Sequence, residues 1–193
     1  MKLSKLNKIG AFLTLCLSFS AQAVTVNVVP NNLTPNINDT ISVLVSGVGF
    51  PATTGGATLG LAFDGSVLNI QNFPADIALA AGAPFDSITS TGLDNIAGTV
   101  DFITILTPLA GPNASGAFDA FSIDFLVVGA GASAITIVED GGTLAWIDAI
   151  TFSPITVDVT NQGNVTVAAV PLPAAAWLML GGLGLLRVVA RRR

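Results

Sequence analysis

Carboxylates are almost the only side chains in this sequence that could do chemistry. All 12 acidic residues lie between Asp39 and Asp158, and residues 24–170 contain no Lys, Arg, His, Cys or Tyr. The usual general bases, nucleophiles and oxyanion-binding cations are therefore absent from this stretch. The one catalytic scheme left is a carboxylate pair of the kind that hydrolyses glycosides, with Glu139 and Asp140 as the pair and Trp146 as a platform for the sugar.

The same three residues have a simpler interpretation. Asp140 followed by two glycines is a typical turn sequence, and a tryptophan among apolar neighbours is a typical core residue. We favour this interpretation, since no nucleotide-binding or metalloprotease motif accompanies the pair. The chain is therefore predicted not to be an enzyme.

The excess of acid over base would attract cations. Residues 24–170 carry 12 acidic and no basic side chains, a formal charge of −12, which repels nucleic acid and anionic lipid. Calcium prefers carboxylate oxygens, and the candidate ligands are Asp39, Asp64, Glu139 and Asp140. The alternative is that the acids only keep an apolar sheet protein soluble. Apart from calcium, no cofactor is predicted.

These side chains must be positioned by a β-rich domain. Short runs of β-branched and aromatic residues are separated by Gly, Asn and Asp turns, and no helical periodicity extends far enough for a major helix. Phe121, Ile123 and Phe125 alternate with other residues, as in a strand with one face on a core. An antiparallel β-sandwich of about eight or nine strands is predicted. The runs are residues 24–29, 41–45, 57–63, 100–106, 121–127, 135–138, 150–159 and 164–168, and residues 74–83 could add one or two helical turns.

Three short segments of this body resemble the cohesin-like sandwich, a relative of the cellulose-binding-module superfamily. Asn38-Asp39-Thr40 leads into an alternating strand, and residues 61–68 resemble a strand followed by an Asp-capped turn and a leucine that re-enters the core. Residues 121–129 resemble a late strand that ends at a glycine. The resemblance implies a jelly-roll fold that serves protein docking or carbohydrate binding, without catalysis. The body has a single Trp and no Tyr, which lowers the expectation of a sugar-binding row of aromatics.

The N-terminus has the pattern of a secretory signal peptide. Three lysines precede an apolar stretch at residues 9–19, and Ala21-Gln22-Ala23 places small residues at the two recognition positions for cleavage. Cleavage is predicted after Ala23, which implies the Sec translocon and signal peptidase as partners. The single cysteine, Cys16, is removed with this segment, so the mature body can form no disulfide.

The C-terminus has the pattern of a membrane anchor. Residues 174–190 form an apolar stretch of 17 residues, at the short end of what spans a bilayer as a helix. Arg187 lies near its end, where the side chain can extend to the headgroups, and three final arginines favour a cytoplasmic end. The residues that mark the predicted transmembrane helix are Ala174, Trp177, Leu180, Gly182, Leu186 and Ala190, and those that form the basic stop are Arg187, Arg191, Arg192 and Arg193.

The segment before this helix resembles a known sorting signal. Val170-Pro171-Leu172-Pro173-Ala174 is similar to the VPLPA variant of the PEP-CTERM signals, although Arg187 shortens the usual apolar run. The resemblance implies recognition by an exosortase, a membrane protease-transpeptidase of Gram-negative bacteria that make exopolysaccharide. It implies transient anchoring in the inner membrane, followed by transfer to the cell surface or the medium.

The chain is thus predicted to comprise a signal peptide (residues 1–23), a β-sandwich domain (24–169) and a sorting signal with a transmembrane helix (170–193). The function predicted from the two ends is that of a non-catalytic exported surface or extracellular-matrix protein. The alternative, taken from the body, is a cohesin-like binding module for exopolysaccharide or a protein partner. Nucleic acid is excluded as a partner by the charge of the body.

Overall fold

A computed structural model describes residues 23–109, 111–138, 145–161 and 163–169. Within these ranges the chain forms twelve β-strands and no helix, so the predicted all-β fold is confirmed for this part of the chain. Both predicted helices, the signal peptide and the transmembrane segment, lie outside the described residues, as do Ala21 and the sorting motif. No helix in the described ranges is long and apolar enough to cross a bilayer.

The strands differ from the predicted set mainly in how the runs are divided. They are β1 Thr25–Pro30, β2 Thr40–Ala62, β3 Leu68–Asn69, β4 Ile77–Leu79, β5 Ser87–Asp94, β6 Thr99–Leu106, β7 Ala114–Val127, β8 Gly131–Val138, β9 Ala145–Asp148, β10 Pro154–Ile155, β11 Asp158–Asn161 and β12 Gly163–Val167. Two predicted strands merge into β2, and the predicted run 150–159 is divided between β10 and β11. The strands β3, β4, β5 and β9 were not predicted. The helical turns considered for residues 74–83 are wrong, since a tight turn and β4 occupy this stretch.

The long strand β2 organises the sheet because its two halves have different neighbours. Residues 40–50 pair with β1 on one side and β7 on the other. Residues 56–62 pair with β6 on one side and with β9 and then β8 on the other. Register shifts on either side of Phe50 mark the corner between the halves, where the buried Thr54 hydroxyl donates to the carbonyl oxygen of Pro51. The strand therefore passes from one layer of the sandwich to the other.

The core lies between these two layers. Alternate residues of β2 and β7 are buried, and their apolar side chains meet those of β6 and β8. Rings on opposite layers are in contact, with centroids 5.1 Å apart for Phe63 and Phe125 and 5.7 Å apart for Phe118 and Trp146. Burial of this alternating set is what fixes the strand register, because a slip of one residue would expose it.

The described chain begins at one end of the sandwich and ends at the other. β1 and β11 are parallel, with Thr25 opposite Asp158, so the two segments run in the same direction. The N–H of Thr166 donates to the carbonyl oxygen of Leu33, so the parallel course continues beyond β1. Thr25 also lies opposite Val48, which places Ala23, exposed and just before β1, at the corner end.

Candidate binding surface

Trp146 is a core residue. It is completely buried in β9, and its ring packs on those of Phe50, Phe85 and Phe118, with centroid distances of 4.6, 6.2 and 5.7 Å. Its Nε1 atom has no hydrogen-bond partner among the described residues. The interpretation of Trp146 as a sugar platform is therefore wrong, because no ligand can reach the ring. The carboxylates once paired with it, Glu139 and Asp140, lie outside the described residues.

Several aspartates serve the loops. The carboxylate of Asp39 accepts from the backbone N–H of Asn36, and that of Asp64 accepts from both the hydroxyl and the N–H of Ser66. The hydroxyl bond and then the backbone bond from Ser66 lower the pKa of Asp64. Asp76 and Asp94 each accept two backbone N–H groups of their own turns. Across the described part of the chain no three acidic residues converge as a metal site would require, and calcium binding stays a prediction.

Asp148 has the most elaborate set of these bonds. One carboxylate oxygen accepts from the N–H groups of Ile150 and Thr151, both at 2.8 Å, and the other accepts from the hydroxyl of Thr53. The Thr53 hydroxyl, followed by the backbone N–H of Thr151, lowers the pKa of Asp148 to about 2. The N–H of Phe152 donates to the backbone carbonyl of Asp148 at 2.9 Å. This bonding turns the chain at residues 149–152, where the sequence had predicted the start of a strand.

That turn forms one wall of an open groove of about 630 Å³ at the corner end. Gly55 and Gly56 of β2 lie in its lining, together with Leu106, Leu109 and Phe152. Side chains at the two glycines would collide with Ala149 and with the carbonyl oxygen of Ile105. We call this feature the end groove.

Large apolar side chains around the end groove point into solvent. Leu109 is fully exposed, and the exposed fractions are 79% for Phe152, 70% for Ile150 and 51% for Leu106. Phe152 has a φ of 53°, in the left-handed region that side chains with a Cβ rarely adopt. Such a concentration of exposed apolar groups on a folded domain indicates an interaction site.

The end groove opens onto the outward surface of β5, β6 and the second half of β2, which we call the outer face. Thr58, Thr104 and Thr89 form one row across these three strands, and the first two hydroxyls lie 3.1 Å apart. Phe102 is 48% exposed beside them. The outer face therefore presents short hydroxyl side chains beside an exposed apolar ring.

These features define a β-sandwich with a shaped surface and no catalytic constellation among the described residues. No protein-family profile and no curated protein matches the sequence. Among solved structures, the chain is similar to CaCohA2 from Clostridium acetobutylicum, with 22% identity, a TM-score of 0.60 and coverage of 77% of this chain and 92% of the other. It is similar to a type II cohesin domain from the cellulosome of Acetivibrio cellulolyticus, with 15% identity, a TM-score of 0.59 and coverage of 75% and 95%. It is also similar to the structure of a type I cohesin–dockerin complex from Clostridium thermocellum, with 16% identity, a TM-score of 0.54 and coverage of 75% and 99%.

The chain thus has the cohesin fold, as the sequence resemblance implied. The end groove and the outer face were not predicted. Gly55 and Gly56 fall between the predicted strands 41–45 and 57–63, although they lie within β2, and Ile150 and Phe152 were predicted to be part of a strand. A usable signal was present, since Asp148 precedes these residues with the spacing of an Asx-type turn and Pro154 follows them.

Proposed function

We propose that this protein is a non-catalytic binding module that docks a protein partner through its outer face. The observation that carries the proposal is the row of Thr58, Thr104 and Thr89 beside the exposed ring of Phe102. Centres of protein interfaces are depleted in charged groups, and the row of threonines carries no charge. The cohesin fold supports the proposal, because one solved structure of that fold is a cohesin–dockerin complex.

Polysaccharide is the less favoured partner. Sugar-binding faces present aromatic rings, and Trp146 is buried. Phe102 is the one aromatic side chain that the outer face exposes among the described residues. A polypeptide can instead use the whole row of small side chains through close backbone approach.

A quantitative pull-down tests the docking face. The exported protein is used as bait against surface proteins and exopolysaccharide of its own host, and the retained partner is identified by mass spectrometry. Thr104→Arg places a long charged side chain in the middle of the row and is expected to abolish retention. Ala78→Arg, at an exposed position on β4 in the other layer, is the matched control. Equal retention by both variants would refute the outer face as the docking site.

We further propose that the protein is exported and sorted through its two ends. The Ala21-Gln22-Ala23 pattern supports a mature N-terminus at Val24, and the Val170–Ala174 motif with its final arginines supports processing by an exosortase. Intact-mass measurement of exported protein tests the first point, and a retained Met1 would contradict it. Replacing Pro171 and Pro173 with alanine is expected to leave an uncleaved membrane-bound precursor, and normal processing of that variant would contradict the second point.

A further inference from the structure

The turn that lines the end groove contains a residue whose backbone conformation lowers local stability. A phenylalanine in the left-handed region is strained, and strained residues that persist in a fold cluster at functional sites. Here the strained residue also exposes its ring, so its burial offers no compensation within the chain. The turn that displays it is fixed by Asp148, which is bonded to Thr53 and to two backbone N–H groups.

We propose that the end groove is an anchor pocket for a polypeptide segment that carries large apolar side chains next to Lys or Arg. This proposal rests on the docking function proposed above and adds the chemistry of the partner. The volume of about 630 Å³ falls within the range of roughly 300–1,000 Å³ that binding clefts occupy. It has room for several side chains of a partner, between Leu106, Leu109 and Phe152.

The negative charge of the body favours a partner that carries Lys or Arg. All acidic residues except Glu139 and Asp140 lie in the described ranges, and these ranges contain no Lys, Arg or His. Asp86 lines the end groove and is exposed, and Asp101 is exposed at the bulge next to Phe102. No cation on the described residues competes for these carboxylates, so a partner that carries Lys or Arg can pair with them, and the field of the body would accelerate its approach.

The same charge argues against other occupants. A second copy of this body would bring its own excess of acid, and an anionic membrane would be repelled in the same way. A zwitterionic membrane has no net positive charge, so it would gain no electrostatic attraction from Asp86. A basic, apolar polypeptide is the occupant that satisfies both the apolar side chains and the acid.

Peptide binding gives a direct test. The probe is a labelled amphipathic peptide of about 14 residues, roughly four helical turns, with Leu on one face and Lys on the other. Two matched peptides replace Lys by Glu or Leu by Ser. Binding of each to the exported protein is measured by fluorescence anisotropy at low and high salt. The Leu/Lys peptide alone is expected to bind, and its affinity is expected to fall as salt rises.

Variants of the protein separate binding from folding. Phe152→Asn removes the ring and places at φ 53° a residue that tolerates this conformation, so the thermal midpoint is expected to stay or rise. Affinity for the Leu/Lys peptide is expected to fall by about tenfold or more in this variant and in Leu109→Ser. Ile96→Ser removes an equally exposed apolar side chain from the β5–β6 turn and is expected to bind as the unaltered protein does.

Several outcomes would overturn the proposal. In the peptide assay they are binding of the Glu peptide as tight as that of the Leu/Lys peptide, no binding of the Leu/Lys peptide, and unchanged affinity of Phe152→Asn for it. In sedimentation they are binding to phosphatidylcholine vesicles, or to a second copy of the protein, that is lost when Phe152 is replaced. If Thr104→Arg loses the native partner while Phe152→Asn keeps both partner and peptide, the outer face is confirmed and the anchor pocket is refuted. If Thr104→Arg keeps the native partner, the outer face is refuted as the docking site.

Discussion

Replacing Trp146 with phenylalanine is expected to destabilise the body far less than replacing it with alanine. The indole is completely buried among Phe50, Phe85 and Phe118. Its Nε1–H lacks a hydrogen-bond partner among the described residues. Alanine removes nearly all of this packing, whereas phenylalanine keeps a ring in the cluster and removes the unpaired donor.

The magnitudes follow from burial and from the unpaired donor. Truncating a buried aromatic residue to alanine costs about 3–5 kcal/mol of unfolding free energy. Phenylalanine has about three fewer heavy atoms than tryptophan, which at about 0.8 kcal/mol per methylene-sized group costs about 2–3 kcal/mol. Removing a buried unpaired donor returns about 1–3 kcal/mol. The net effect of Trp146→Phe therefore lies between a gain of about 1 kcal/mol and a loss of about 2 kcal/mol.

Urea unfolding of the exported protein, followed by far-ultraviolet circular dichroism, measures both values. With a slope of about 2 kcal/mol per molar urea, the midpoint is expected to fall by about 2 M for Trp146→Ala and by less than about 1 M for Trp146→Phe. Phe85→Leu, which alters the same cluster without removing a polar atom, is the control and is expected to cost about 1 kcal/mol. Equal losses for the two Trp146 variants would refute the reasoning, since the donor would then have a partner. Unchanged stability of Trp146→Ala would refute the core assignment itself.

Three further predictions concern charge and backbone. The pKa of Asp148 is lowered to about 2, so the stabilisation by its carboxylate is complete above the ordinary pKa of an aspartate and is lost as pH falls through about 2. NMR titration of the carboxyl group measures this pKa, and a midpoint at the ordinary value for aspartate would contradict the prediction. Gly82 has a φ of 77° and open space around it, so Gly82→Ala is expected to cost about 1 kcal/mol of unfolding free energy. Gly98 has a φ of 71°, and a Cβ there would overlap a backbone carbonyl oxygen, so Gly98→Ala is expected to cost more. Equal losses in urea unfolding would contradict the overlap. Millimolar calcium is expected to raise the thermal midpoint relative to a chelator, and an unchanged melt would end the calcium hypothesis.

The regular part of the fold could be predicted from the sequence because burial imposes alternation. Phe121, Ile123, Phe125 and Val127 were assigned to one face of a strand, and all four are completely buried in β7. The prediction needs only neighbouring residues, because successive side chains of a strand point to opposite faces and the apolar ones face the core. The all-β class followed from such runs and from the turns between them, and the cohesin fold was implied by the resemblance of three short segments.

The corner of β2 and the end groove could not be predicted in this way. Gly55 and Gly56 are turn residues by composition, but they are required in β2 because Ala149 and the backbone of Ile105 approach them closely. These neighbours are far away in sequence. The outward position of Phe152 likewise depends on Thr53, whose hydroxyl binds the carboxylate of Asp148. Only the tertiary fold brings these residues together.

The parallel pairing of β1 with β11 has a mechanical consequence. The end groove lies at the corner end of the sandwich, and the chain leaves at the opposite end beyond β12. Tension between a partner bound in the groove and a tether at the C-terminal side would act along the strands. The hydrogen bonds between β12 and β8 and those between β1 and β11 would be loaded together in shear. A load applied this way meets a larger unfolding barrier than one that opens the bonds in succession, and forced unfolding is governed by that barrier.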